Sequence, residues 1–327
     1  MRTARRRRQT WKLHLSASFL YDPLARMRRL RGPFSAHIQT VDRCNAACPT
    51  CPYRTSWKTG PPHYMGEDLY LRIIDELRRR GSLRLLELML QNEPLLDGSL
   101  AKRVRQARLA LGRGLWIATV TNGSMLTDER IDELLAAGLN CIDVSIDAAH
   151  EQAYQAIRPG LDFAKVVESS RTLLRRRGKA VVRVRFLKQR ANVGEECELE
   201  RYWKPRGAIV RLDSMLNRAG SLGDFGRLRR PWDGALRHGM KVLLGRFYPR
   251  CLYPFGALTV LSDGRIILCC NDWAHELIVG DLTRQSVAEV WHGERTSECR
   301  HLIWAQRFRD SCVCRDCSIA RGGAGQR

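Results

Sequence analysis

"CNAACPTC", residues 44–51, sets three cysteines at positions i, i+4 and i+7, directly after the strand-like "AHIQTV" (36–41). Three thiolates this close can share one metal centre, yet a structural zinc usually takes four ligands. The triplet is one short for zinc but suffices for three irons of a cubane whose fourth iron is left open. Its position decides the fold, because it interrupts the first of a repeating series of strands and helices.

Downstream, "GEDLYLRIIDELRRRG" (66–81) spaces its apolar residues as a helix does and stops at Gly81. Strands are predicted over 83–90, 115–120, 141–147, 180–187 and 208–212, with helices over 99–114, 127–138, "HEQAYQAI" and "DFAKVVESSRTLLRRRG" between them. Thr127 supplies an N-cap, but Arg130 three residues on denies it a capping box. The alternation implies an α/β fold whose parallel sheet is open or partly closed into a barrel. Ligands of such sheets bind at the carboxyl ends of the strands, where the triplet loop emerges.

From Asn217 the pattern changes. "NRAGSLGDFG" reads as a linker, and "GALTVLSDGRIILCC" (256–270) as a hairpin turning at Asp263–Gly264. A helix, "SVAEVWHGE", and the cysteine-rich "CVCRDC" follow. The expected organisation is a basic lead-in over 1–33, read as one amphipathic helix, a barrel over 34–220, a linker over 221–247, the extension over 248–320 and a tail over 321–327.

The chain has 327 residues and 44% apolar composition, enough for a large core. No apolar run reaches 18 residues, and the basic start lacks a signal peptide's apolar stretch, so no membrane and a cytoplasmic protein are expected. The twelve cysteines cluster, which without an export signal points to metal or iron–sulfur ligation rather than disulfides. Cys141 and Cys197 stand alone and read as core thiols. The net charge of +22 is scattered in runs such as Arg78–Arg80, Arg175–Arg177 and Arg227–Arg230, several at helix ends, where cations are favourable and solvate.

The C-x3-C-x2-C triplet of Cys44, Cys48 and Cys51 resembles that of the radical S-adenosylmethionine (radical SAM) superfamily. The resemblance implies that these three cysteines hold a [4Fe–4S] cluster whose open iron binds the amino and carboxylate groups of SAM. Reductive cleavage then yields a 5′-deoxyadenosyl radical. Where the family carries a "GGE" segment after the second strand that contacts the SAM amine, this chain has "QNEPLL", which keeps Glu93 as the expected SAM-binding residue and replaces both glycines with Gln91 and Asn92. Thr121 and Asn122 of "TNG", Ser145 and Asp147 of "VSIDA", and Arg158 of "IRPG" resemble the family's SAM-pocket residues. Ser145 and Asp147, two apart in a predicted strand, are expected to point the same way.

Cys251, Gly264 and Cys269 resemble the opening of a SPASM extension, and Cys314 and Cys317 add a further C-x2-C. The later SPASM ligands are missing, so a shortened, twitch-like extension is expected, with one auxiliary [4Fe–4S] cluster on Cys251, Cys269, Cys314 and Cys317. The fold that the two resemblances imply is α/β, a partial (β/α)6 barrel with a small C-terminal α+β iron–sulfur extension. A four-cysteine zinc ribbon is the bland alternative by spacing. Cys270, Cys299 and Cys312 read as buried thiols or alternative ligands, and Cys270 is in addition a candidate hydrogen-atom donor.

Three functions compete. The family resemblance favours hydrogen abstraction from a sugar or aminocyclitol, giving epimerisation or dehydrogenation, with a small-molecule substrate and a reducing partner such as flavodoxin or ferredoxin. A cationic substrate would require an acidic pocket. The alternative is maturation of a ribosomally made precursor peptide, by epimerisation or cross-linking. A basic cysteine-rich RNA-binding protein ranks last, because aromatic-rich RNA platforms are missing.

Overall fold

The computed structural model describes residues 32–55, 60–230 and 251–320. Most of the predicted lead-in, the linker from residue 231 and the tail lie outside the described residues. Six parallel strands alternate with helices: β1 (Ser35–Ile38), α1 (Glu67–Arg80), β2 (Leu85–Glu87), α2 (Leu100–Leu111), β3 (Trp116–Thr121), α3 (Asp128–Ala136), β4 (Cys141–Ser145), α4 (Glu151–Ile157), α5 (Phe163–Arg176), β5 (Val181–Lys188), α6 (Glu196–Trp203) and β6 (Ile209–Ser214). They lie side by side in chain order, the arrangement of a partial (β/α)6 barrel.

Local chemistry accounts for these elements. In α1, Tyr70, Ile73, Ile74 and Leu77 are buried at the i, i+3, i+4, i+7 spacing of one helical face. Glu67 and Asp68 open the helix, Arg78–Arg80 close it, and Gly81 takes φ 65° to cap it through the carbonyls of Leu77 and Arg78. Thr127 accepts from the Arg130 amide, a cap without a box. In β5, Val182, Val184 and Phe186 are buried against the helices, which leaves Arg183 and Arg185 on the opposite, inner face.

Strands β1, β2 and β4 stop short of their predicted carboxyl ends, whereas β3, β5 and β6 run one or two residues past theirs. The stretch 83–90 is a strand only over Leu85–Glu87, and its Leu90 amide is taken by Asn92 Oδ1 at 2.8 Å. An apolar run alone does not distinguish a ladder from a buried loop. Arg230, read as part of a solvated run, is instead half-buried, donating to Glu196 and to the Asn192 carbonyl. Cys197, read as a core thiol, is exposed on α6, whereas Cys141 is buried.

The predicted hairpin forms as β7 (Ala257–Val260) and β8 (Arg265–Ile267), followed by β9 (Ile278–Asp281), α7 (Val287–His292) and α8 (Glu294–Trp304). Its turn glycine, Gly264, takes φ 92°. The hairpin extends the barrel sheet: β7 pairs in parallel with β1, giving the order β6-β5-β4-β3-β2-β1-β7-β8-β9. The Asp263–Gly264 turn therefore lies at the triplet's end of the sheet, while the turn after β8 is met by Gln91 from beyond β2.

Candidate radical and iron–sulfur site

The triplet loop leaves the carboxyl end of β1. Cys48 is buried, Cys44 and Cys51 are partly exposed, and the Cys51 amide closes a turn on the Cys48 carbonyl at 3.0 Å. Neighbouring strand ends hold the loop. The Glu93 amide donates to the Arg43 carbonyl at 2.8 Å, and Asn122 Nδ2 donates to Asn45 Oδ1 at 2.9 Å. Asn45 Nδ2 in turn donates to Ser124 Oγ at 2.9 Å. Burial raises the Cys44 thiol to about 12. Burial also raises Cys48, opposed by the neighbouring Arg158 guanidinium.

Glu93 is 2% exposed, and its carboxylate is fully engaged inside the protein. Oε1 accepts from Thr121 Oγ1 at 2.6 Å and from the Leu95 amide at 3.1 Å, while Oε2 accepts from the Asn122 amide at 2.7 Å. Burial raises its pKa against these hydrogen bonds. The "TNG" turn needs its glycine for space as well as conformation. Gly123 has φ 82°, and a Cβ there would stand 3.0 Å from both Val144 and Val166.

Ser145 ends β4 on the inner face, but the strand stops there. Asp147 takes φ 64° beyond the end of β4, so strand alternation alone does not set its direction. Its orientation comes from partners. Oδ1 accepts from the Leu187 amide at 2.7 Å, and Oδ2 pairs with Arg158 Nη2 at 2.5 Å. Arg158 Nη1 lies 3.7 Å from Cys48 Sγ, so "VSIDA", "IRPG" and the triplet meet at one buried guanidinium.

Below this mouth the inner face of the sheet is ionic, which the sequence reading missed. Pairing sets Asp143 beside Arg183, Ser145 beside Arg185 and Arg185 beside Arg211, all on that face. Arg183 pairs with Asp143, and Asp213 is shared by Arg185 and Arg211 at 2.7 Å each. Burial works to raise Asp213, but the two guanidinium groups outweigh it and hold it below the ordinary carboxylate value. On β1 and β2, His37 Nδ1 meets Glu87 at 2.7 Å. Alternation in "VVRVRFLK" was the available signal.

The C-terminal cysteines gather beyond β7. Cys251, Cys312 and Cys317 pack against a small core containing Cys299 and Cys314, together with Leu268, Ile303 and Phe308. The Cys317 amide turns back to the Cys314 carbonyl at 3.2 Å. Asn217, after β6, fastens this turn, donating to the Asp316 carbonyl at 2.5 Å and accepting from the Ser318 amide at 2.8 Å. Cys269 and Cys270 touch each other but differ in their other surroundings. Cys269 Sγ accepts from the Asn271 amide at 3.4 Å, whereas Cys270 packs against Leu90, Leu261 and Ile267 on the barrel side. Their shared hydrogen bond raises Cys269 and lowers Cys270, with His37 and Tyr253 adding to the second effect.

All twelve cysteines carry thiols, none of them in a disulfide. Among the described residues no three His, Cys, Asp or Glu side chains converge closely enough to hold a single metal ion. The donor chemistry suits an iron–sulfur cluster, because each gathering offers only soft thiol sulfur, partly or fully desolvated. No described helix is long and apolar enough to cross a membrane.

Comparison with known proteins agrees with this geometry. Residues 38–186 match the model of the radical SAM superfamily, and residues 251–318 match that of an iron–sulfur cluster-binding (SPASM) domain. A SAM-dependent 2-deoxy-scyllo-inosamine dehydrogenase from Niallia circulans is 19% identical over 86% of this chain and 91% of its own. A tungsten-containing aldehyde ferredoxin oxidoreductase cofactor-modifying protein from Pyrococcus furiosus is 28% identical over 34% of this chain, which spans only 30% of that relative's length. The structure of BtrN in complex with AdoMet and 2-DOIA superposes with a TM-score of 0.57 at 17% identity, covering 87% of this chain and 92% of that one. Streptococcus suis SuiB bound to precursor peptide SuiA gives 0.66 at 11% identity, over 89% and 71%. Both are likenesses of fold. Residues 38–186 are thus a radical SAM region and residues 251–318 a SPASM-type iron–sulfur region, and the cofactors these regions imply are SAM and [4Fe–4S] clusters.

Proposed function

We propose that this enzyme removes hydrogen from a C–H bond of a polyhydroxylated sugar or aminocyclitol, giving dehydrogenation or epimerisation. Bound together, the cluster and SAM supply the 5′-deoxyadenosyl radical for that abstraction. Cys44, Cys48 and Cys51 would hold the radical SAM cluster. Thr121, Asn122, Ser145, Asp147 and Arg158 would line the SAM pocket, with Glu93 holding the pocket loops from behind. Cys251, Cys269, Cys314 and Cys317 would hold one auxiliary cluster, and Cys270, on the barrel side, would be placed to return a hydrogen atom.

The observation that carries this reading is the ionic inner face below the triplet. Desolvated charges there stay costly unless polar partners meet them, so the site favours a substrate rich in hydroxyl groups. Three arginines stand against Asp143 and Asp213 on β4–β6, which is not the acidic pocket that a multiply cationic substrate requires. A hydroxylated substrate of low positive charge fits best, and a precursor peptide remains the alternative. We place the reaction in the cytoplasm, with ferredoxin or flavodoxin as reductant.

Iron and sulfide analysis of the anaerobic protein is expected to find two [4Fe–4S] clusters, with one retained when Cys44, Cys48 and Cys51 are all replaced by alanine. Zinc without sulfide would sink the reading. Turnover in heavy water separates the two outcomes: deuterium in the product, abolished by Cys270→Ala, marks an epimerase.

A further inference from the structure

Gln91 has φ 52° and His275 has φ 53°, both in the left-handed region that favours glycine. These two residues, 184 positions apart, meet: His275 Nε2 lies 2.9 Å from Gln91 Oε1. The Gln91 amide nitrogen donates to the carbonyls of Cys270 at 3.1 Å and Asp272 at 2.9 Å. Gln91 is 8% exposed, so these bonds are sheltered from water.

The turn that Gln91 grips is internally closed. The Asp272 carboxylate accepts from the Glu276 amide at 3.0 Å and the Leu277 amide at 2.9 Å, and the Asp272 amide returns to the Cys269 carbonyl at 3.0 Å. Residues 269–277 therefore form one hydrogen-bonded turn. That turn is tied to the end of β2 by Gln91 and to the segment after β6 by Arg218, which donates to Asn271 at 3.3 Å. Two residues beyond Gln91, the Glu93 amide holds the triplet loop at Arg43. A short path of hydrogen bonds thus joins the two cysteine groups.

We infer that Gln91 and His275 form a positioning latch that sets where the Cys269–Cys270 turn sits relative to the triplet loop. The side chains compensate for left-handed backbone at both residues, and each anchors the other's segment. The role of the latch toward cluster ligands rests on the proposed function. Its grip on the turn does not.

The test uses the anaerobically reconstituted full chain and its Gln91→Gly and His275→Ala variants. Gln91→Gly suits the left-handed backbone without steric cost and removes the whole side chain with its amide. Hydrogen exchange at the Glu276 and Leu277 amides is expected to quicken about tenfold in both variants, as sheltered hydrogen bonds are lost. The electron paramagnetic resonance line shape of the reduced auxiliary cluster is expected to change, while that of the triplet cluster does not. Gln91→Asn, one methylene shorter, should behave like Gln91→Gly. Exchange within twofold of the parent in both variants overturns the latch. Faster exchange with an unchanged auxiliary signal overturns the positioning role. A parent protein without a second cluster refutes the proposed function, while the exchange comparison still tests the latch.

Discussion

Replacing Glu93 with glutamine changes one atom and sets two effects against each other. The carboxylate is buried, and burial raises its pKa, so folding disfavours the ionised form. Folded Glu93 therefore binds its proton more tightly than unfolded Glu93, and stability falls as pH rises from about 4.3 through the folded pKa. On that ground alone a neutral amide would help. Hydrogen bonding opposes it, because all three partners donate: the Thr121 hydroxyl, the Leu95 amide and the Asn122 amide. With the glutamine NH2 at the Oε2 position it faces the Asn122 N–H; turned over, it faces the Leu95 N–H. Either way one backbone donor loses its acceptor. A charge-assisted hydrogen bond is worth about 1.5–3 kcal/mol, and an unsatisfied buried donor costs about 1–3 kcal/mol. Set against the relief of a buried charge, the net expected loss is about 2–3 kcal/mol, or a fall in melting temperature of about 3–4 °C for a chain of this length. Anaerobic thermal unfolding of parent and Glu93→Gln between pH 4 and 8 measures both effects. A variant that melts with the parent at pH 8 would refute the view that Glu93 holds the triplet and "TNG" loops together.

Arg158→Met should cost about 3–5 kcal/mol in denaturant unfolding, because it strands the buried Asp147 carboxylate, while Arg158→Lys should lose less. Asp213 carries the opposite sign from Glu93: its pKa is lowered by Arg185 and Arg211 against burial, so its contribution is present above about pH 4 and lost as pH falls through the folded value. Asp213→Asn should flatten the acid limb of the melting profile below pH 4, and an unchanged limb would refute the shared ion pair.

Much of the fold was legible because helices and turns are written locally. Gly81, the Thr127 cap and the Asp263–Gly264 turn each require a particular residue at a particular backbone angle. Strand ends were less legible, since "LRLLELML" is apolar well past the three residues that pair. Of the candidate site, the cysteines and "TNG" stood out because their chemistry or conformation tolerates few substitutes. The orientation of Asp147 did not, because a left-handed residue after β4 breaks the strand's period. Cys197 misled for a related reason: a lone cysteine carries no information about which helix face it occupies.

By itself the sequence determined the alternation of strands and helices, the triplet after the first strand, and a second thiol group far along the chain. These follow from short-range spacing, where each residue's neighbours are its neighbours in sequence. Only the tertiary structure decided that β7 joins the free edge of β1, that Arg185 and Arg211 share Asp213, and that Gln91 grips a turn 179 and 181 residues away. Such pairings depend on sheet register and on which edge is left unpaired, quantities set by packing the whole chain rather than by any local stretch.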